Sequence, residues 1–204
     1  MEQFVKLTGV NPDITISNNV ALVGSSAILL EKEYGSLIDS YDTIIRFNRA
    51  PTIDFEDHVG SRTTIRIANP HVFSNISVRD KRFPNPEVSH PKNFIREQEE
   101  ISIIHANNDT SGWNERTQHV HPTSKAFLME PISFNYLPTV GLRGISLMVK
   151  NNIFPHLFGF GINEDSNATH YWEARDPTSI CHNYSSERDL LKKWASNGKI
   201  KIFT

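Results

Sequence analysis

Val20-Ala21-Leu22-Val23-Gly24-Ser25-Ser26 decides the fold: four apolar residues in a row, a glycine, then two hydroxyl residues. A short continuous apolar run closed by a turn signal reads as a strand buried on both faces. Ser25 or Ser26 then caps a helix expected over Ala27 to Ile38, with Leu29, Leu30, Leu37 and Ile38 on its apolar side. Asp42 to Phe47 follows as a second strand, closed by Asn48-Arg49-Ala50-Pro51, where the proline stops regular structure. Strand, helix and strand in this order form the unit of a parallel sheet with covered faces.

Outward from that unit the pattern repeats. Thr63 to Ala68 and Ile101 to His105 read as further strands, and Gly141 to Lys150 as a helix. Phe154 to Ile162 contains a buried strand ending in Phe158-Gly159-Phe160-Gly161; Ser186 to Ala195 suits an amphipathic helix, and Lys199 to Phe203 a last strand. Met1 to Asn19 is a polar start, Asn69 to Pro91 a loop or irregular insertion, and Asn107 to Lys125 a second polar loop. The expectation is one α/β domain over residues 1–204, an α/β/α sandwich with a mostly parallel central sheet. In such sheets ligands bind outside the carboxyl ends of the strands, where Gly24-Ser25-Ser26, Asn48 and Gly159-Phe160-Gly161 fall.

Composition removes several classes. Among 204 residues, 21 Lys and Arg face 23 Asp and Glu, a net charge of −2, without the basic excess of a nucleic-acid or polybasic membrane binder. No apolar run approaches the roughly 18–20 residues of a membrane-crossing helix. Cys181 is the single cysteine, so no intrachain disulfide forms. With no basic leader followed by an apolar stretch at the start, the expected location is the cytoplasm.

The candidate chemistry has bland counterparts. Gly24-Ser25-Ser26 is a turn into a helix, where backbone N–H groups favour an anion, or an ordinary strand–helix connection. Asn48 either contacts a base or ribose or bonds its own backbone in a turn. His119 and His121 alternate as two metal ligands on one strand face would, but no acidic or cysteine partner stands at a recognisable spacing. His170, inside His170-Tyr171-Trp172-Glu173, and His182, just before the helix near Ser186, can act as acid or base near neutral pH, or be ordinary surface or core residues.

Read together, the pieces resemble a known family. Ala21-Leu22-Val23-Gly24-Ser25-Ser26, Tyr34-Gly35, Arg46-Phe47-Asn48-Arg49-Ala50-Pro51, Phe55-Glu56 and Val59-Gly60-Ser61-Arg62-Thr63-Thr64 resemble the long sialyl motif of eukaryotic-type sialyltransferases, glycosyltransferase family 29. Pro138-Thr139-Val140-Gly141 through Phe158-Gly159-Phe160-Gly161 is similar to the short motif. His170-Tyr171-Trp172-Glu173 matches motif III, and His182 with Glu187 the very short motif, all in family order.

The resemblance implies a GT-A-like fold, a CMP-linked donor, a glycan acceptor and neither metal nor cofactor, in keeping with the lack of any Asp-x-Asp in the chain. It implies that Ser25, Ser26 and Asn48 contact CMP, and that Thr139, Gly141, Phe160 and Gly161 line the nucleotide. His170 would stabilise the leaving phosphate, and His182 would take the acceptor proton. The family's usual Asn stands as Ser25 here, its Ser-Thr-Gly as Thr139-Val140-Gly141, and its bridging cysteines fall near Val20 and Asn152, so that bridge is absent. A soluble relative of bacterial or viral type is expected. Three rival readings remain: transfer of Kdo from CMP-Kdo, a nucleotide-binding module without turnover, and a metal-dependent hydrolase at His119 and His121.

Overall fold

The computed structural model describes residues 3–10, 13–69, 100–106, 119–122, 138–162, 170–172 and 182–204. Most of the expected loop after Asn69, most of the second polar stretch, Glu173 and Cys181 lie outside them.

Two short strands, β1 (Phe4–Leu7) and β2 (Ile14–Ser17), pair antiparallel. They are followed by β3 (Val20–Val23), β4 (Thr43–Phe47), β5 (Ile65–Ala68), β6 (Ile101–Ala106), β7 (His119–Pro122), β8 (His156–Phe158) and β9 (Lys201–Phe203). These seven make one sheet in the order β7-β6-β5-β4-β3-β8-β9, with every neighbouring pair parallel. The expected α/β architecture is therefore present. From β3 the chain adds strands on one side through β7, then returns to place β8 against the opposite edge of β3. The boundary between β3 and β8 is a topological switch point.

Helices cover both faces because side chains alternate along each strand. Val20, Leu22, Ile45, Phe47, Ile65 and Ile67 face a core shared with α3 (Val140–Lys150), α4 (Tyr184–Ser196) and the β1–β2 hairpin. Ala21, Val23, Ile44 and Phe158 face the other core, closed by Leu29, by α1 (Gly35–Asp39) and by α2 (Glu56–Val59). Arg46, fully buried on β4, donates through Nη2 to the carbonyls of Val59 (2.7 Å), Gly60 and Arg62, which pins the end of α2 to the sheet.

The single helix expected over Ala27–Ile38 is two pieces. A 3₁₀ turn spans Ala27–Glu31, Lys32 is extended (φ −144, ψ 151), and α1 starts at Gly35. Leu29 and Ile38 are both fully buried, whereas Leu30 and Leu37 are 41% exposed. Residues nine apart point in opposite directions on a continuous α-helix, so burying both Leu29 and Ile38 requires the break. A Cβ on Gly35 would sit 2.0 Å from the Glu56 carbonyl, so this position brings α1 and α2 into backbone contact. The polar start proves to carry the hairpin, and the second polar stretch contains β7. No helix among the described residues is long and apolar enough to cross a membrane.

Candidate functional site

At the switch point two backbones approach more closely than side chains permit. A Cβ on Gly24 would lie 2.3 Å from the Gly159 carbonyl oxygen, and one on Gly159, at φ +70, would meet Leu29. The glycines let the Gly24 N–H donate to Phe158 O (2.7 Å) and the Ser26 N–H to Gly159 O (3.1 Å), extending the β3–β8 ladder past the strand ends. The chain following each of these strands therefore begins at one shared edge.

Topology brings the remaining pieces to that edge. In a parallel sheet a helix leading into the next strand starts at the carboxyl ends. This places the start of α3, which leads into β8, and the start of α4, which leads into β9, above the glycine turns. Side-chain contacts agree: a Cβ on Gly141, in the first turn of α3, would lie 3.1 Å from the Phe160 ring. That ring meets Phe47 edge-on at 5.9 Å, beside Asn48.

Each residue singled out in the sequence has a definite setting. Ser25 is half-buried, and its carbonyl accepts from the Tyr171 N–H (3.0 Å). Ser26 is buried and caps the 3₁₀ turn, its Oγ accepting from the Ile28 N–H (3.3 Å). Asn48 occupies the left-handed region (φ 48), its Oδ1 accepts from the Asn69 N–H (3.0 Å), and its Nδ2 has no partner among the described residues. Asparagine is one of the few residues that tolerates that backbone. Thr139 is the N-cap of α3, its Oγ1 accepting from the Leu142 N–H (3.0 Å). Gly161 is half-buried at φ +52, following Phe160 out of β8.

His170 forms an isolated antiparallel bridge with Ser26 and stacks on Trp172, with ring centroids 4.4 Å apart and planes 14° off parallel. The hydroxyl of Tyr171, which lies between them in sequence, donates to the Pro51 carbonyl, and burial pushes that phenol well above its ordinary pKa. The motif III segment is thereby fastened to the turns after β3 and β4. His182 is half-buried, two residues before α4, and meets Tyr184 edge-on at 5.8 Å.

Two features escaped the reading of single residues. Glu187, only 6% exposed, accepts from the Thr139 N–H at Oε1 (2.7 Å) and from Thr139 Oγ1 at Oε2 (2.6 Å). Burial raises its pKa to about 7, against the two Thr139 hydrogen bonds and the nearby Arg143 charge. Arg66 and Glu100 form the other: a fully buried pair, Nε to Oε1 at 2.7 Å, in which Arg66 Nη1 also donates to the carbonyls of Asn48 (3.0 Å) and Ala50. Sequence separation hid both, although a charged residue inside an apolar strand (Ile65-Arg66-Ile67) is a signal that one partner must exist.

Elsewhere, a hollow of about 340 Å³ opens at the opposite edge of the sheet, lined by Ser17, Asp42, Thr43, Thr64, Ile65 and Ile101 among others. The strand ends that gather the glycines are remote from it. His119 and His121 fall on β7, and no group of three potential metal ligands occurs among the described residues.

Comparison with known proteins gives a consistent picture. The family model for glycosyltransferase family 29 (sialyltransferase) matches residues 10–106. Over 90% of its length the chain is 28% identical to human CMP-N-acetylneuraminate-beta-galactosamide-alpha-2,3-sialyltransferase 1, covering 57% of that protein, and 26% identical to the mouse counterpart, covering 58%. The chain thus spans under three-fifths of these relatives. A 55-residue stretch is 46% identical to zebrafish beta-galactoside alpha-2,6-sialyltransferase 2. The fold matches the crystal structure of a mammalian sialyltransferase in complex with Gal-beta-1-3GalNAc-ortho-nitrophenol, at TM-score 0.60 and 24% identity, over 90% of this chain and 68% of that one.

Proposed function

We propose that this chain belongs to glycosyltransferase family 29, whose family model matches residues 10–106, and that it moves a sialic-acid-type sugar from a CMP-activated donor to a glycan hydroxyl, inverting the anomeric carbon without a metal ion. One observation carries the reading: the Ser26–His170 bridge joins the glycine–hydroxyl turn after β3 to the motif III segment, at the edge where open α/β sheets bind ligands. On this reading CMP lies across the switch point. Ser25 and the Asn48 amide contact it from one side, and the α3 N-terminus, Phe160 and Gly161 from the other.

The acceptor oxygen attacks the anomeric carbon as the bond from that carbon to the phosphate oxygen breaks, with its electron pair leaving on CMP. His182 takes the acceptor proton. His170, whose ring is held flat on Trp172, donates a hydrogen bond to the departing phosphate. The leaving group is a nucleoside monophosphate, so less charge needs neutralising than for a diphosphate, and the chain has no Asp-x-Asp to hold a cation. Fixed donors aimed at the developing charge carry much of the rate.

The test is thermal stability with CMP, CMP-sialic acid, CMP-Kdo, UDP-glucose and GDP-mannose, each with EDTA, followed by transfer assays on galactose-terminated acceptors. A ligand of the native state raises the midpoint by mass action. Stabilisation by CMP compounds alone, greatest for CMP-sialic acid, is the expected result, with transfer by His182→Ala reduced by about 10²–10⁴-fold while CMP still binds. No CMP response, or a response only when EDTA is omitted, overturns the proposal; preference for CMP-Kdo overturns the choice of sugar.

A further inference from the structure

The turn that ends β4 is held by a charge that the sheet buries. Side chains alternate along β5: Ile65 and Ile67 join the core under α3, and Arg66, 1% exposed, takes the opposite face. Glu100, the residue before β6, meets its Nε at 2.7 Å. A guanidinium is a rigid planar fork, so a bond at Nε sets the direction of the remaining donors. Nη1 accordingly donates to the carbonyls of Asn48 (3.0 Å) and Ala50 (3.4 Å). Between those two residues the chain reverses, and the Ala50 N–H returns to Phe47 O (3.2 Å).

We infer that Arg66, oriented by Glu100, is a positioning residue that holds the Asn48 amide in its working pose for CMP. The inference rests on the transfer reading above. Asn48 stands at φ 48, a backbone that asparagine tolerates but that surrounding bonds must maintain. Three bonds do so. The Asn48 N–H donates to Ile67 O (3.0 Å), its carbonyl accepts from Arg66, and its Oδ1 accepts from the Asn69 N–H (3.0 Å). The first and last partners are backbone groups, so the Arg66 bond is the one that a substitution outside the turn can remove. With Oδ1 turned to Asn69, the amide presents the two N–H groups of Nδ2, donors suited to an anionic ligand. Loss of the guanidinium bond frees the Asn48 carbonyl, and the amide shares the rotation of the peptide that carries it.

The test measures Kd for CMP by calorimetric titration in wild type, Arg66→Lys, Asn48→Gly and the two combined, each well below its unfolding midpoint. Lysine keeps a positive charge opposite Glu100 but lacks the second arm that reaches Asn48 and Ala50. Glycine adopts φ 48 readily and removes the amide alone. Asn48→Gly is expected to weaken CMP binding by about 10–100-fold, the range for losing a hydrogen bond to a charged group. Arg66→Lys is expected to weaken it about tenfold, and to cost less than about twofold more when added to Asn48→Gly, because its effect runs through the amide. A merely structural role would lower the unfolding midpoint and leave the Kd of the folded protein unchanged. Arg66→Met with Glu100→Ala, which carries no buried charge, stands in with the same expectations should Arg66→Lys not fold. A Kd within about twofold of wild type in the Arg66 variant, or losses that multiply in full when it is combined with Asn48→Gly, overturns the inference. Wild-type protein that does not bind CMP overturns the function reading, and this inference with it.

Discussion

Removing Glu100 from beneath Arg66 takes away the carboxylate that faces a buried guanidinium. Arg66 and Glu100 side chains are 1% and 0% exposed, and their Nε–Oε1 separation is 2.7 Å. Breaking a buried pair by deleting one member costs about 3–5 kcal/mol, because the survivor is left desolvated without its counter-charge. Glu100→Ala is therefore expected to lose about 3–5 kcal/mol, a large part of the roughly 5–15 kcal/mol that holds a domain together. Replacing both members, Arg66→Met with Glu100→Ala, removes the buried charge but leaves the Asn48 and Ala50 carbonyls without their guanidinium donor. At about 1–3 kcal/mol for each buried group deprived of its partner, the double variant is expected to cost less than the sum of the two single losses.

The assay is urea unfolding followed by the fluorescence of the buried Trp194, comparing midpoints at constant slope. The quantity of interest is the coupling energy of the double-mutant cycle, expected to be about 2 kcal/mol or more in favour of the pair. A Glu100→Ala loss below about 1 kcal/mol, or single losses that add within about 0.5 kcal/mol, would refute the reasoning. The same double variant also loosens the turn at Asn48 to Ala50, so under the proposed function its CMP-induced stabilisation falls.

Glu187 makes stability depend on pH. Its pKa rises from an ordinary 4.5 to about 7 on folding, so the folded state holds the proton more tightly and stability falls as pH climbs between those values. At about 1.4 kcal/mol per unit the contribution is about 3 kcal/mol, present below pH 4.5 and gone above pH 7. Relative to wild type, Glu187→Gln should gain that amount between pH 5 and pH 8 in unfolding titrations, and parallel curves would mean that the carboxylate is ionised in the fold throughout. Gly24→Ala drives a methyl into the Gly159 carbonyl, 2.3 Å away, and backbone must move. A loss of about 1–3 kcal/mol is expected, together with loss of the CMP response, and retention of both would show that the β3 and β8 ends part without consequence.

How far the sequence discloses this protein follows from the range of each interaction. Val20–Val23, four consecutive apolar residues, declares itself because burial on both faces needs no polar alternation. The β1–β2 hairpin is silent for the opposite reason. Ile14 and Ile16 are buried and Thr15 is not, a pattern only four residues long inside a polar stretch. The break after the 3₁₀ turn is hidden because Gly35, where α1 begins, packs against α2, some twenty residues ahead in the chain and invisible to any local period. The site divides along the same line. Local chemistry marks Gly24, Ser25, Ser26, Asn48 and His170 as candidates one at a time, and two of them have an ordinary use that the structure displays: Ser26 caps a turn, and Asn48 takes the left-handed backbone. What makes them a site is contact between distant segments, Ser26 with His170 and Thr139 with Glu187, and those contacts follow from the placement of β8 against β3. Strand order is set by the summed packing of both sheet faces, which no window of residues contains. The family resemblance supplied the candidate members of the site; the switch point supplies the reason that the segments carrying Ser26 and Gly159 meet.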